Sequence, residues 1–130
     1  MVSARILAFG LLLGCDSSLG GAWTGDCEFE DLVGPDGRFM ELIYRLELDL
    51  EADGIGALTG SGSLYYTVDE VDKESGFSLS GESQGDEVQI TLVFDEELND
   101  LLLEGEQYRR DQLEGDCSAG VAEGEFRLLR

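Results

Sequence analysis

Apolar and polar residues alternate over most of this chain. From position 42 to position 50 every even residue is leucine or tyrosine, including Tyr44 and Leu46, whereas Arg45, Glu47 and Asp49 occupy odd positions. A period of two is typical of a β-strand with one buried face, because successive side chains point to opposite sides of the sheet. The segment therefore predicts a strand with a leucine-rich inner face.

The same alternation returns in further segments, which brings the predicted number of strands to eight. The first strand begins at Leu19 and is predicted to end near Phe29. Turns are predicted at residues 34–37, 52–54, 72–76, 84–86 and 95–100, where glycine, aspartate and the chain's one proline concentrate. The inward positions, which would line a core or a ligand cavity, include Tyr44, Leu46, Tyr66, Phe77, Phe94 and Phe126.

Eight strands joined by short turns, with no helical pattern between them, indicate an all-β domain. An open eight-stranded sheet would expose two long edges, and closure into a barrel removes both. We therefore expect a single eight-stranded antiparallel meander β-barrel in which the first and last strands are neighbours. A β-sandwich is the alternative, but its Greek-key form needs long crossover connections that this sequence lacks.

Two cysteines lie on the predicted inner parity, Cys27 in strand one and Cys117 in strand seven. In a closed barrel only one strand separates these two, so both thiols would face the same interior. We predict a Cys27–Cys117 disulfide, because two cysteines in an exported domain usually pair. A catalytic or metal-binding thiol is the alternative, and the chain has no histidine to accompany it.

Residues 1–14 form a short apolar leader that we exclude from the fold. It contains Arg5 and an apolar run at positions 6–13, far short of the roughly 20 residues that span a bilayer. The run ends in Leu12-Leu13-Gly14-Cys15, which resembles the lipobox of bacterial lipoproteins. The resemblance implies cleavage after Gly14 and acylation of Cys15. An ordinary secretory signal with a chance cysteine is the alternative.

The lipobox resemblance divides the chain into a signal peptide at residues 1–14, a lipidated tether at 15–21 and a β-barrel domain at 22–130. It implies a cell-envelope protein that acyl chains on Cys15 hold to a bacterial membrane, facing the periplasm. Asp16 resembles an inner-membrane retention signal. Because lineages differ in that signal, the choice between inner and outer membrane stays open.

The chain is strongly acidic. It has 29 acidic and 8 basic residues, a formal net charge of −21, and because the leader holds Arg5 and no acid, residues 15–130 carry −22. Such a charge repels phosphate backbones and anionic lipids, which excludes nucleic acid as a partner. Attachment to a membrane would come from the acyl chains, which contribute about 0.8 kcal/mol per buried methylene.

Gly21-Ala22-Trp23 resembles the Gly-x-Trp that opens the first strand of lipocalins, and residues 19–26 are similar to the first strand of avidin-type barrels. In lipocalins that tryptophan closes one end of the barrel beneath an arginine from near the last strand. The resemblance implies this barrel-closing role for Trp23, with Arg127 or Arg130 as the arginine and Arg130 on the better parity. The further tryptophans of the avidin site are missing, so biotin binding is not implied. A core anchor without further role is the alternative for Trp23.

The inward positions offer few groups that could move a proton or hold charge, so we expect no enzyme, no cofactor and no resident metal. Three acidic segments, at residues 69–72, 95–100 and 111–116, are candidates for calcium. None has the spacing of an EF-hand loop, and solvated turn charges are the simpler interpretation.

Tyr44, Tyr66 and Tyr108 could place hydroxyls inside the barrel or at its mouth, although buried phenols with backbone partners are more common.

Three functions remain after these exclusions. The first is a non-enzymatic, lipid-anchored carrier whose barrel, if hollow, binds a small hydrophobic ligand, as lipocalin-like proteins do. The second is an acidic module that recognises a basic envelope or extracellular protein, as the small lipoprotein barrels that inhibit lysozyme do. The third is a structural lipoprotein with no ligand.

Overall fold

The structure, a computed structural model, describes residues 19–33 and 37–130, and these form eight β-strands and no helix. The strands in chain order are β1 Gly21–Val33, β2 Phe39–Ala52, β3 Ala57–Val68, β4 Val71–Gln84, β5 Glu87–Phe94, β6 Leu101–Arg109, β7 Gln112–Ala119 and β8 Ala122–Leu129.

Each strand pairs antiparallel with the next, and β8 pairs with β1 to close the barrel. The closing register runs from Thr24 opposite Leu129 to Phe29 opposite Gly124. The predicted eight-stranded meander barrel is therefore confirmed, and the sandwich alternative is wrong. Closure leaves no long strand edge among the described residues, which is the physical reason that favoured a barrel.

The barrel interior is a continuous apolar core built from the residues of one parity on each strand. Eleven aliphatic side chains of this core are at most 3% exposed: Leu46, Leu48, Leu50, Leu58, Leu64, Ile90, Leu92, Leu101, Leu103, Leu113 and Leu128. The residues between them face solvent, as Glu47 and Asp49 do on β2. The alternation in the sequence therefore corresponds to the two sides of the barrel wall.

The predicted disulfide joins Cys27 on β1 to Cys117 on β7, with β8 between them. Strands two positions apart in a flat sheet are separated by about 9.5 Å, a distance that a disulfide does not bridge. Here the Cα atoms are only 6.3 Å apart, because the wall curves sharply around β8. Gly124 shows the same curvature, since a Cβ added there would overlap the Glu28 carbonyl group.

The first strand is longer than predicted. It continues past Phe29 to Val33, with a register shift between Phe29 and Leu32 before pairing with β2 resumes. Glu30 and Asp31 are two consecutive acidic residues that interrupt the alternation, and the shift accommodates them. It places the half-buried Leu32 against the core and is the reason why a strict period of two fails at this point.

The turn predicted at residues 72–76 is wrong, because these residues belong to β4. The chain reverses instead at Asp69 and Glu70, which both have positive φ, 51° and 65°. Pairing of β3 with β4 starts directly beside them, with Val68 opposite Val71. Residues 72–76 are polar and contain a glycine, so their local preference is for a turn. Pairing with β3 overrides this preference and moves the turn to Asp69 and Glu70.

Several predictions lie outside the described residues: the signal peptide at 1–14, acylation of Cys15 and most of the turn at 34–37. Leu19 is 6% exposed and packs in the core, and Gly21 begins β1, so residues of the predicted tether contribute to the barrel. Within residues 19–33 and 37–130, no helix is long and apolar enough to cross a membrane.

Candidate functional site

Trp23 closes one end of the barrel, which we call the tryptophan end. Its side chain is fully buried, and the indole Nε1 donates a hydrogen bond to the Leu19 carbonyl oxygen at 2.9 Å. The guanidinium carbon of Arg130 lies 4.5 Å from the centre of the indole ring. The resemblance allowed two arginines above the tryptophan ring, and Arg130 is the one that lies there. Arg127 faces outward, and its Nε lies 3.5 Å from a carboxylate oxygen of Glu114.

Arg130 also ties three segments of the tryptophan end together. Its guanidinium donates to the carbonyl oxygen of Gly20 at 2.9 Å and to that of Arg110. Its backbone N–H donates to the Asp111 carbonyl oxygen at 3.0 Å. The segment before β1, the β6–β7 turn and the end of β8 therefore meet on one side chain, and this end of the barrel is sealed.

The opposite end, which we call the mouth, carries an open depression of about 500 Å³. The β5–β6 loop, residues 95–100, forms one side of it. Leu98 of that loop packs against the core, whereas Glu97 and Asn99 beside it are exposed. The residues that line the depression are Phe29, Leu42, Tyr44, Glu97, Leu98, Asn99, Ala119 and Ala122. The depression therefore has an apolar base and a polar side that includes one carboxylate.

Aromatic rings pack against one another below this depression. The Tyr44 ring has three neighbours, with centroid distances of 5.0 Å to Phe29, 5.4 Å to Tyr66 and 6.4 Å to Phe94. Phe94 continues the cluster to Phe77 at 5.7 Å. Most of these pairs meet edge to face, the arrangement that the ring quadrupoles favour. The cluster gives the base of the depression a rigid, polarisable surface.

Tyr44 is the one lining residue that combines burial with an unused polar group. It is 8% exposed, and its hydroxyl has no hydrogen-bond partner among the described residues. Burial, with a further contribution from the neighbouring Tyr66 phenol, raises the pKa of Tyr44. Because Tyr44 lines the depression, its hydroxyl is free to form a hydrogen bond with a ligand there.

Acidic residues surround the mouth. The β3–β4 turn contributes Asp69 and Glu70, and the β5–β6 loop contributes Asp95, Glu96 and Asp100, all exposed. These carboxylates are dispersed: within the part of the chain that the structure describes, no group of three or more His, Cys, Asp or Glu side chains could hold a metal ion. Of the segments considered for calcium, residues 69 and 70 form the β3–β4 turn, residues 95–100 form the β5–β6 loop, and residues 112–116 lie in β7.

The six residues predicted to line a core or cavity lie in three different places in the structure. Tyr44 lines the depression, Tyr66, Phe77 and Phe94 lie in the ring cluster beneath it, and Leu46 and Phe126 are buried elsewhere in the core. The prediction that Tyr108 could lie inside the barrel or at its mouth is wrong. It is 67% exposed on the β6–β7 side of the tryptophan end, because its position has the outward parity of β6.

Five apolar residues of the depression were not predicted as site residues: Phe29, Leu42, Leu98, Ala119 and Ala122. Leu98 offered a signal, since it is the one apolar residue in an otherwise acidic and polar loop. The two alanines flank the β7–β8 turn and carry no signal of their own. No protein-family model matches this chain, and no curated protein matches it.

Proposed function

We propose that this protein is a non-enzymatic, lipid-anchored binding protein of the bacterial cell envelope, whose ligand occupies the depression at the mouth. The observation that carries the proposal is Tyr44, a largely buried side chain in the base of an open depression whose hydroxyl has no partner among the described residues. Binding pockets for small molecules combine an apolar lining with a few polar groups that orient the ligand.

The anchor follows from the lipobox-like Leu12-Leu13-Gly14-Cys15 and from the place where the chain leaves the barrel. Leu19, four residues after Cys15, lies at the tryptophan end. Acyl chains on Cys15 would hold that end close to the membrane and leave the mouth facing the periplasm. The absence of histidine from the sequence and the apolar inward positions support a binding role over a catalytic one.

The ligand that fits the depression is small and has an apolar part and at least one polar group. The barrel interior is filled by its own core, so the favoured site is the mouth and not the interior cavity of a lipocalin-like carrier. A volume of about 500 Å³ is within the range of small-molecule sites. Tyr44 would hydrogen-bond the polar group while Leu42 and Leu98 contact the apolar body.

Native mass spectrometry of the mature lipoprotein from its bacterial host, followed by solvent extraction, tests the carrier. We expect a bound small molecule whose re-addition shifts the NMR signals of Phe29 and Leu98. Tyr44→Phe should weaken its binding by roughly tenfold, the loss of about one hydrogen bond in a buried site. The matched control Tyr108→Phe, at the other end, should bind as the parent does. No co-purifying molecule, or signal shifts remote from the mouth, would contradict the carrier.

A basic protein is the second candidate ligand, and the exposed carboxylates around the mouth favour it. A net charge of −21 steers positively charged partners towards this protein. Lysozyme at low salt is a suitable probe, with Glu97→Gln as the mouth variant and Glu51→Gln, at the end of β2 near the tryptophan end, as the control. If only Glu97→Gln weakens the binding of lysozyme, the mouth is supported as the binding site. If the two variants bind lysozyme equally well, the mouth is contradicted as the binding site.

The lipid anchor has its own test. The intact mass of the protein, produced in a bacterium that processes lipoproteins, should correspond to a chain that begins at an acylated Cys15. A secreted form that bears no acyl chain would exclude the anchor.

A further inference from the structure

The β2–β3 loop at the tryptophan end displays an isoleucine to solvent. Ile55 is 90% exposed, and Gly54 and Gly56 on either side have positive φ, 87° and 112°. Glycine is the residue that adopts such angles without strain. The loop sequence thus permits a narrow projection in which Ile55 is the one large side chain.

Hydrogen bonds fix this loop in shape. The Asp53 carboxylate accepts from the backbone N–H of Ile55 at 2.8 Å and of Ala57 at 2.9 Å, and the Asp53 N–H donates to the Ala57 carbonyl oxygen at 3.1 Å. The Gly56 carbonyl oxygen accepts from the N–H of Ser83 on β4 at 2.7 Å. Ile55 is therefore held outward, away from the barrel core.

The chain that leads to Cys15 leaves the barrel beside this loop. Gly21, the first residue of β1, pairs with Leu50, and the loop begins three residues after Leu50. The buried Leu19 lies four positions after Cys15, and four extended residues reach at most about 14 Å. An acylated Cys15 would therefore bring the membrane surface within reach of the Ile55 loop.

We propose that Ile55 inserts into the bilayer that holds the acyl chains of Cys15 and so sets the barrel upright, with its mouth away from the membrane. This inference rests on the proposed lipid anchor. Tyr108, 67% exposed, and Arg109 end β6 and Arg110 follows in the β6–β7 turn, at the same end and across the barrel from Ile55. Tyrosine and arginine are suited to the boundary between head groups and hydrocarbon.

Within the described residues, the tryptophan end has no charge of one sign that would attract it to a membrane surface. Asp86 in the β4–β5 turn and Asp111 in the β6–β7 turn lie at the same end as the two arginines, so the end carries both signs. We therefore expect insertion of Ile55 to need no anionic lipid and to change little with salt, in contrast to a basic surface.

Tryptophan fluorescence of the full mature lipoprotein in vesicles tests the inference. Ile55→Trp introduces an exposed reporter against the background of Trp23, which is fully buried. In phosphatidylcholine vesicles brominated near the top of the acyl chains, the emission of the new tryptophan should shift to shorter wavelength and be largely quenched. Val121→Trp is the matched control, because Val121 is fully exposed in the β7–β8 turn at the mouth, and its emission should stay unquenched.

The outcomes separate the inference from the anchor. Quenching of Ile55→Trp but not of Val121→Trp supports the upright barrel. If the protein is acylated by mass and floats with the vesicles while Ile55→Trp stays unquenched, the inference is overturned and the anchor stands. If Cys15 carries no acyl chain and the protein does not float, both are overturned together.

Discussion

Arg130 connects several segments of the structure at the tryptophan end. It covers the Trp23 ring and donates hydrogen bonds to the carbonyl oxygens of Gly20 and Arg110. A cation over an indole contributes about 1 kcal/mol at a partly exposed site, and hydrogen bonds from a charged donor add to this. The side chain thus stabilises the segment through which the chain would connect to its anchor.

Arg130→Ala should lower the free energy of unfolding by about 1–2 kcal/mol, measured by urea denaturation. Arg127→Ala is the matched control from the same strand end. Its ion pair with Glu114, at 3.5 Å, is largely exposed, so its loss should cost roughly 0.5 kcal/mol or less. Equal effects of the two substitutions would show that the contacts of Arg130 at the tryptophan end contribute nothing specific.

Tyr44→Phe should leave stability at neutral pH unchanged within about 0.5 kcal/mol, because the substitution removes a hydroxyl that has no partner among the described residues. The prediction depends on the ring contacts with Phe29 and Phe94 being kept. A clear loss of stability in urea denaturation would show that the hydroxyl has a partner in the folded protein.

The same residue predicts a pH dependence. Because burial raises the pKa of Tyr44, the folded protein keeps the phenol proton at pH values where the unfolded chain has released it. This contribution to stability is complete below pH of about 10, the ordinary tyrosine pKa, and is lost as the pH rises through the higher value of the folded state. In urea denaturation above pH of about 10, the free energy of unfolding of the Tyr44→Phe variant should decrease less steeply with pH than that of the parent. The Tyr108→Phe variant should show the same pH dependence as the parent.

At the scale of the strands, close backbone approach distinguishes this barrel from a flatter sheet. Gly105 on β6 pairs with Gly115 on β7, and both occupy inward positions. A Cβ added to Gly115 would overlap the Glu104 carbonyl oxygen and the Gly105 Cα. Glycine is needed here because the two backbones approach too closely for any side chain at that position.

Gly115→Ala should therefore destabilise the barrel by about 2–3 kcal/mol, the cost of overpacking. The control Ser118→Ala lies on the outward parity of the same strand, and its effect should stay within about 0.5 kcal/mol. Thermal denaturation followed by the near-ultraviolet signal of Trp23 measures both. A Gly115→Ala variant as stable as the parent would mean that β6 and β7 separate at little cost.

The strands show which parts of this fold were predictable. Alternation located the strands and their inner faces, since a period of two in a closed barrel directly separates core from solvent, and parity placed Cys27 and Cys117 together. The turn was predicted at residues 72–76 and not at Asp69 and Glu70, because a glutamate at positive φ has no favourable local signal. Its position depends instead on the register between β3 and β4.

The mouth was less predictable than the core for a related reason. Tyr44 was identified because it continues the alternation of β2, but the depression depends on how residues 95–100 fold back so that Leu98 contacts the core. That contact is a tertiary contact made by an irregular loop, and no periodic pattern in the sequence predicts it. The site therefore combines one residue predicted from the strand pattern with several that only the folded loop brings together.

The charge of the whole molecule predicts how its stability responds to salt. With 29 acidic and 8 basic residues, and exposed ion pairs such as Arg45 with Asp26 at 4.0 Å, repulsion between carboxylates should exceed attraction in the folded state. Unfolding separates these charges and relieves the repulsion. Raising sodium chloride shortens the screening length from about 30 Å at 0.01 M to about 3 Å at 1 M, so the folded barrel gains stability over the unfolded chain.

We therefore expect the midpoint of thermal unfolding to rise as salt is raised across this range. A variant that neutralises the outer face of β2, with Glu47→Gln, Asp49→Asn and Glu51→Gln, should begin from a higher midpoint at low salt and respond less steeply, because part of the repulsion is already removed. A midpoint that falls with salt would mean that attractive pairs dominate. The same low-salt repulsion disposes this acidic molecule to bind a positively charged partner, and such a partner should raise the unfolding midpoint most at low salt and least at high salt.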